Sequence, residues 1–330
     1  MKALILAGGF GTRLRPLTYT RPKHLLPIAN RPHIEHVFDL LMGHGVTDVV
    51  LLTSYLAETF DAIVERGVKR GMTIAVTHEA EPLGTAGALK NAEALVSDGT
   101  FLAFNGDILT DVDLGALADR HAATGAEATI LLTPVDDPSA YGVVPTDEDG
   151  RVLGFIEKPP LGEAPTNLIN AGVYVLEPSI LERIPKGEVW SAERRLFPGL
   201  VEEGAGLYAT GTDAYWMDIG TPRKYLQANL DALSGAYRTD AAAALVPKEV
   251  LAAKDAFVAD DAMVSSACIG PGARVEAGAV LERAVLLAGA RTARGAEVRD
   301  SILGEGATVE AGARVADQAI ADHEVVRPSS

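Results

Sequence analysis

Apolar and polar positions follow two alternating periods along the first 125 residues. Short apolar or β-branched runs at 3–7, 48–53, 73–77 and 101–104 read as buried strands. Between them, 32–43, 56–69 and 85–96 carry apolar residues at helical spacing. Strand and helix in turn predict a parallel sheet with crossover helices, whose ligands sit at the carboxyl ends of the strands. After a further helix at 113–124 the texture changes. Strands are expected at 128–135, 142–145, 152–157 and 171–176, parted by Pro, Gly and Asp clusters, and helices at 191–203 and 222–233. The expected class is α/β.

From residue 252 the pattern becomes a repeat. Ile269, Leu286, Leu303 and Ile320 recur every 17 residues, as do Gly272, Gly289 and Gly306, and Gly278, Gly295 and Gly312. Within each unit apolar residues step by about six, the pattern of a left-handed parallel β-helix with one triangular coil per three steps. A period one short of three sixes implies one tightened corner. Val258, Ala262, Val264 and Cys268 fit a weaker preceding coil, with Cys268 as an inward core position. The domain plan is then an α/β domain at 1–233, a Ser-Gly and Ala-rich linker at 234–251, and the β-helix at 252–330.

Composition narrows the partners. A net charge of -16 argues against nucleic-acid binding, though not against a nucleotide met by local positive charge such as Arg13, Arg15, Arg21, Lys23 and Lys158. No apolar run reaches membrane-spanning length, and the N-terminus enters a strand at once, so neither a membrane segment nor a secretory signal is expected. One cysteine rules out an internal disulfide and suits a reducing cytoplasm.

The candidate chemistry begins where the first strand ends. Leu6-Ala7 lead into Gly8-Gly9-Phe10-Gly11-Thr12-Arg13-Leu14-Arg15-Pro16, where three glycines let bare backbone N–H groups approach an anion. Two arginines and Lys23 follow, with charge suited to polyphosphate. A Gly turn with solvated arginines is the plain alternative. A dinucleotide fingerprint fails because Leu14 stands where its third glycine belongs, and a Walker loop fails for want of Gly-Lys-Ser/Thr. Glu81-Pro82-Leu83-Gly84-Thr85-Ala86-Gly87, taken alone, is a helix cap. Asp107, after a strand, and Asp218, before a helix, are singly turn or cap residues; as a pair, hard carboxylate oxygens suit Mg²⁺ on a triphosphate.

Gly-Gly-x-Gly-Thr-Arg-Leu-x-Pro-x-Thr, unbroken from Gly8 through Thr18, together with Pro22-Lys23, resembles the opening of the sugar-phosphate nucleotidylyltransferase family. The resemblance spans about residues 1–230 and is strongest to members that are mannose-1-phosphate guanylyltransferases. It implies a Rossmann-like, GT-A-like nucleotidyltransferase domain with a mixed sheet, followed by the β-helix. It also implies Mg²⁺-dependent transfer from a nucleoside triphosphate, GTP first, to a sugar 1-phosphate, mannose 1-phosphate first. By this resemblance Arg13 and Lys23 are catalytic, and Leu6, Ala7, Gly8, Gly9, Gly11, Thr12, Arg13, Glu81, Gly84 and Thr85 bind the nucleotide. Gly106, Gly142, Glu157, Lys158 and Asn170 bind the sugar phosphate, and Asp107 and Asp218 the metal. Two carboxylate oxygens of Glu81 would match the N1–H and 2-amino donors of guanine. The glycines of that loop would admit the flat base.

Three alternatives stay open: a glucose-1-phosphate uridylyl- or thymidylyltransferase, a non-catalytic regulatory homologue, and an acyltransferase added by the coils. The last lacks a histidine within the repeats, His323 lying beyond them. Exposed strand edges on the β-helix imply a homo-oligomer built through it and the catalytic domain.

Overall fold

A computed structural model describes residues 1–240 and 250–329. The chain forms two compact units: residues 1–9 with 37–216, and residues 10–36 with 217–330. Most of the expected linker, 241–249, lies outside the described residues. The grouping does not follow the 233/252 boundary, because the segment after Gly9 clusters with the β-helix.

The first unit is built on a nine-stranded sheet. Lys2–Leu6 runs parallel to Asp48–Thr53 and to Phe101–Asn105, and Asp48–Thr53 runs parallel to Thr73–His78. These are the expected apolar runs; Lys2–Leu6, Asp48–Thr53 and Phe101–Asn105 are largely buried, as parallel strands with crossover helices must be, while Thr73–His78 at the sheet edge is partly exposed. Leu168–Leu176 then pairs antiparallel with Phe101–Asn105 and with Ala128–Pro134, which makes the sheet mixed. Ala128–Pro134 in turn carries Leu207–Gly211, a strand the apolar pattern does not flag. The expected strand at 152–157 shrinks to Ile156–Glu157, since Leu153 and Ile156 face solvent and Gly154 gives no packing. Leu4, Leu52, Phe101, Ile130 and Tyr174 share one core.

Register fixes where the functional ends fall. Leu6 pairs with Leu52 and Asn105, and Thr53 pairs with His78, so four parallel strands end together. Gly8, Ser54, Glu79 and Gly106 follow those ends directly, at the edge where α/β sheets take their ligands.

The second unit contains the parallel β-helix. Ala267, Ala284 and Ser301 are paired in register, as are Arg274, Arg291 and Thr308, each a 17-residue offset. Left-handed backbone marks three corners per coil: Gly272, Gly289 and Gly306; Gly278, Gly295 and Gly312; and Ser266, Arg283, Asp300 and Asp317. The steps between corners are six, six and five. The tightened corner therefore lies before the third set, which holds no glycine. His323 takes the glycine position of the last coil, with φ 59°.

One expectation is corrected here. Cys268 is fully buried, but it is its neighbours Ala267 and Ile269 that join the coil interior. Side chains alternate along a strand, so Cys268 points outward from the coil. There it meets Ala29 and Tyr225, and burial pushes its thiol pKa up to about 12. Helix Pro222–Ser234 packs on that face, burying Tyr225, Ala228, Asn229 and Leu233. Among the described residues no helix is long and apolar enough to cross a membrane.

Candidate active site

In the first unit the strand ends present the expected loop. Leu6 closes the first strand, its carbonyl accepting Gly106 N–H at 3.0 Å, and Ala7 N–H donates to Leu52 O at 2.8 Å. Gly8 carries no Cβ because one would stand 2.9 Å from Ser54 Oγ, and that hydroxyl donates to Gly8 O. Gly9 is exposed.

The base loop differs from its expected reading. Glu81 is exposed on the surface, whereas Glu79, two residues earlier, is 6% exposed. Glu79 Oε2 accepts Leu83 N–H at 3.0 Å, and Oε1 is buried without a hydrogen-bond partner. Burial raises its pKa above the usual 4.5, the Leu83 hydrogen bond opposing this. A carboxylate kept dry with one oxygen unpaired is costly unless a donor reaches it. Two glycines of this loop are required by its own packing. With φ 75°, Gly84 would set a Cβ 2.9 Å from Trp190 O, and one on Gly87 would stand 2.8 Å from Glu188 O. Both make room for the backbone of 188–190. The Thr85 hydroxyl donates to Glu193 Oε2 at 2.8 Å and accepts Ala192 N–H at 2.8 Å, so it braces the loop from within the protein.

A polar network stands behind Asp107. Asn170 Nδ2 donates to Tyr174 Oη at 2.8 Å, and Asn170 Oδ1 accepts Gly172 N–H at 3.0 Å. Gly172, with φ 75°, brings the backbone where a Cβ would stand 2.7 Å from Asn105 Nδ2. Asn105 Oδ1 is buried and unpaired. Tyr174 is fully buried, and burial raises its pKa well above 10, with the charges of Glu193 and Asp107 adding to the rise. Asn170 thus serves its neighbours through both ends of its amide.

Glu157 and Lys158 do come together. Lys158 takes φ 52° before Pro159, a strained backbone that turns the chain and brings Nζ within 3.8 Å of Glu157 Oε1. Arg194 Nη2 lies 4.0 Å from the same oxygen, a third charged group that no motif announced. Gly142 permits this: a Cβ there would stand 3.1 Å from Glu157 Oε2. Trp216 lies edge-on to Tyr141 and donates its indole N–H to Ala171 O at 2.9 Å.

In the second unit Gly11, with φ 62°, opens the one-turn 3₁₀ helix Thr12–Leu14, leaving Thr12 and Arg13 exposed. Arg13 and Asp218 both press on Gly220. A Cβ there would lie 2.8 Å from Arg13 Nη2 and 2.7 Å from Asp218 Oδ1. Asp218 is largely buried; Oδ1 accepts Gly220 N–H at 2.8 Å and Oδ2 accepts Lys224 Nζ at 3.1 Å. Lys224 escaped sequence reading because only the fold of the helix start returns it to Asp218. Lys23 lies against the loop, its Cβ 3.4 Å from where a Gly11 Cβ would stand. Arg21, counted by sequence among the phosphate charges, pairs instead with Glu305 and Asp322.

Asp107 in the first unit and Asp218 in the second each carry hard carboxylate oxygens, the type of donor that Mg²⁺ prefers. Among the described residues no cluster of three or more His, Cys, Asp or Glu forms a metal cage. Mg²⁺ commonly binds through one or two carboxylates plus substrate phosphates and water, and needs no such cage.

Two family models match the chain. The one described as nucleotidyl transferase covers residues 2–235, and the one described as GMPPB C-terminal domain covers residues 246–328. A Mycobacterium tuberculosis protein named mannose-1-phosphate guanylyltransferase is 38% identical over 299 residues, 85% of this chain and 83% of that protein. An Oryza sativa subsp. japonica protein named probable mannose-1-phosphate guanylyltransferase 1 is 41% identical over 298 residues, 87% of this chain and 80% of its own length. Among solved structures, HddC from Yersinia pseudotuberculosis complexed with GMP-PN superposes with a TM-score of 0.60 at 31% identity. That match covers 69% of this chain and 97% of HddC.

Proposed function

The chain belongs to the nucleotidyl transferase family, and from that premise we propose that it joins GTP and mannose 1-phosphate into GDP-mannose and pyrophosphate. Nucleotidyl transfer to a sugar 1-phosphate is the activity of the relatives by name. The observation that carries the guanine reading is Glu79. Its buried carboxylate has one oxygen unpaired and the other held by a single N–H. Guanine offers two adjacent donors, N1–H and the 2-amino group, which match two carboxylate oxygens; uracil and thymine offer one N–H between repelling carbonyls. The role first given to Glu81 therefore passes to Glu79.

The reaction is an in-line attack by a sugar-phosphate oxygen on the α-phosphorus of GTP, with pyrophosphate leaving. The nucleophile is already an anion, so alignment and charge neutralisation carry the rate and no general base is needed. Arg13 neutralises charge on the departing pyrophosphate, and Lys23 takes the α-phosphate. Lys158 and Arg194, both within 4.0 Å of Glu157 Oε1, hold the sugar phosphate, and Glu157 accepts hydrogen bonds from the sugar hydroxyls. Mg²⁺, when bound, neutralises phosphate oxygens, and we assign it to Asp107 and Asp218.

Phosphorus NMR of the chain with GTP, mannose 1-phosphate and MgCl₂ is expected to show GDP-mannose and pyrophosphate forming together, and EDTA to stop both. Absence of product with Mg²⁺ present would reject the reaction. Undiminished turnover in EDTA would reject the metal assignment.

A further inference from the structure

Lys23 is carried on a segment that the β-helix holds, and Arg21 makes the charged tie nearest to it. Arg21 lies two residues before it, and Arg21 Nη2 donates to Glu305 Oε2 at 2.7 Å and to Asp322 Oδ2 at 2.8 Å. Asp322 is the hub of this contact. Its Oδ2 also accepts Thr20 Oγ1 at 2.5 Å, and its Oδ1 accepts the backbone N–H of Glu305 at 2.7 Å. Its side chain is only 7% exposed. Glu305 and Asp322 follow the paired Leu303 and Ile320 by two residues each, so they are equivalent positions of successive coils. The arginine therefore closes on two coils at once, in a charged cluster that depends on every partner to offset its desolvation.

From this cluster to Lys23 there is little slack. Pro22, with φ -61°, leads into the short 3₁₀ turn Lys23–Leu25, in which Leu25 N–H donates to Pro22 O and Leu26 N–H to Lys23 O. Lys23 in turn packs against Gly11, whose carbonyl accepts Thr18 Oγ1 at 2.9 Å. Further along, Tyr225 Oη donates to Pro27 O at 2.7 Å, Ala29 N–H to Asn229 Oδ1 at 3.0 Å, and Asn30 Nδ2 to Ile269 O at 2.9 Å. The segment is thus fixed at both ends by the β-helix and the helix packed on it.

We propose that Asp322 and Glu305, acting through Arg21, are positioning residues that set Lys23 and the Gly11 turn for phosphoryl chemistry. The β-helix then acts directly on the rate of transfer. This rests on the nucleotidyl-transfer reading above, since it is the α-phosphate that Lys23 is held to meet. A lysine displaced by a fraction of an ångström loses transition-state contact more than ground-state binding.

In the full chain, Asp322→Asn and Arg21→Gln are each expected to lower kcat by about tenfold, with KM for mannose 1-phosphate within about twofold of wild type. The double variant should be no slower than the slower single one, because both break one connection. Arg21→Lys, which keeps charge but not the fork, should fall between. A readout independent of activity is hydrogen exchange. In Asp322→Asn the amides of Leu25 and Leu26 should exchange faster, while those of Gly270 and Leu287, bonded within the coils, stay as in wild type. Unchanged kcat in both single variants, additive losses in the double, or coil amides loosened as much as the loop would overturn the proposal. If wild type transfers no nucleotide at all, the functional reading fails instead, and the exchange pattern alone decides whether Asp322 holds the loop.

Discussion

Glu79→Gln is expected to lower kcat/KM for GTP by about ten- to a hundredfold while changing UTP and dTTP by no more than about threefold. The substitution keeps shape and turns one acceptor into a donor that faces guanine's own. Glu81→Gln, at an exposed position in the same loop, should leave the nucleotide ratios unchanged. If Glu81→Gln shifts the ratios and Glu79→Gln does not, the assignment is reversed. Stability gives a second reading of the same residue. Burial raises the folded-state pKa of Glu79 above its ordinary 4.5, so its stabilising contribution is full below that pH and is lost as pH rises through the folded value. The melting temperature of wild type relative to Glu79→Gln should therefore fall as pH rises above 4.5. A constant difference across that range would mean the carboxylate is not held dry.

Arg13→Ala should lower kcat by about a hundred- to a thousandfold, the loss typical of removing one preorganised charge-stabilising donor from a reacting centre. The side chain is exposed and lies against Gly220 beside Asp218, so its removal leaves no cavity in the core. Thermal melting should be unchanged. Arg13→Lys restores charge without the planar fork and should recover only part of the rate. A kcat for Arg13→Ala within about threefold of wild type would make Arg13 a solvated turn residue, the plain alternative that the sequence alone leaves open.

The parallel half of the sheet was legible because its strands are short apolar runs with helical spacing between them. The repeat was legible because three rows of residues recur at one offset. What the sequence hid was orientation. Cys268 is apolar and in phase, yet alternation turns it away from the coil interior towards Tyr225. Glu79 and Glu81 are two carboxylates of one loop, and only burial separates them. Their spacing alone gives no sign of it, though Glu79 directly follows a strand whose end is paired with that of Asp48–Thr53, level in register with Leu6 and Asn105. Arg21 looked like phosphate charge because it stands near Lys23; its partners lie some three hundred residues away at coil corners. Arg194 and Lys224 belong to no motif and reach Glu157 and Asp218 only through the folded backbone. Gly84 and Gly87 showed that close packing was needed without showing against what.

The measurement that bears most directly on the central claim is kcat/KM for pyrophosphate release over a matrix of GTP, UTP, dTTP and ATP against mannose 1-phosphate and glucose 1-phosphate. Guanylyl transfer predicts that GTP with mannose 1-phosphate exceeds every other pair by about tenfold or more, as two donors matched to one buried carboxylate require. A maximum at UTP or dTTP would contradict the account, because a dry carboxylate facing the base cannot favour a ring edge flanked by carbonyls.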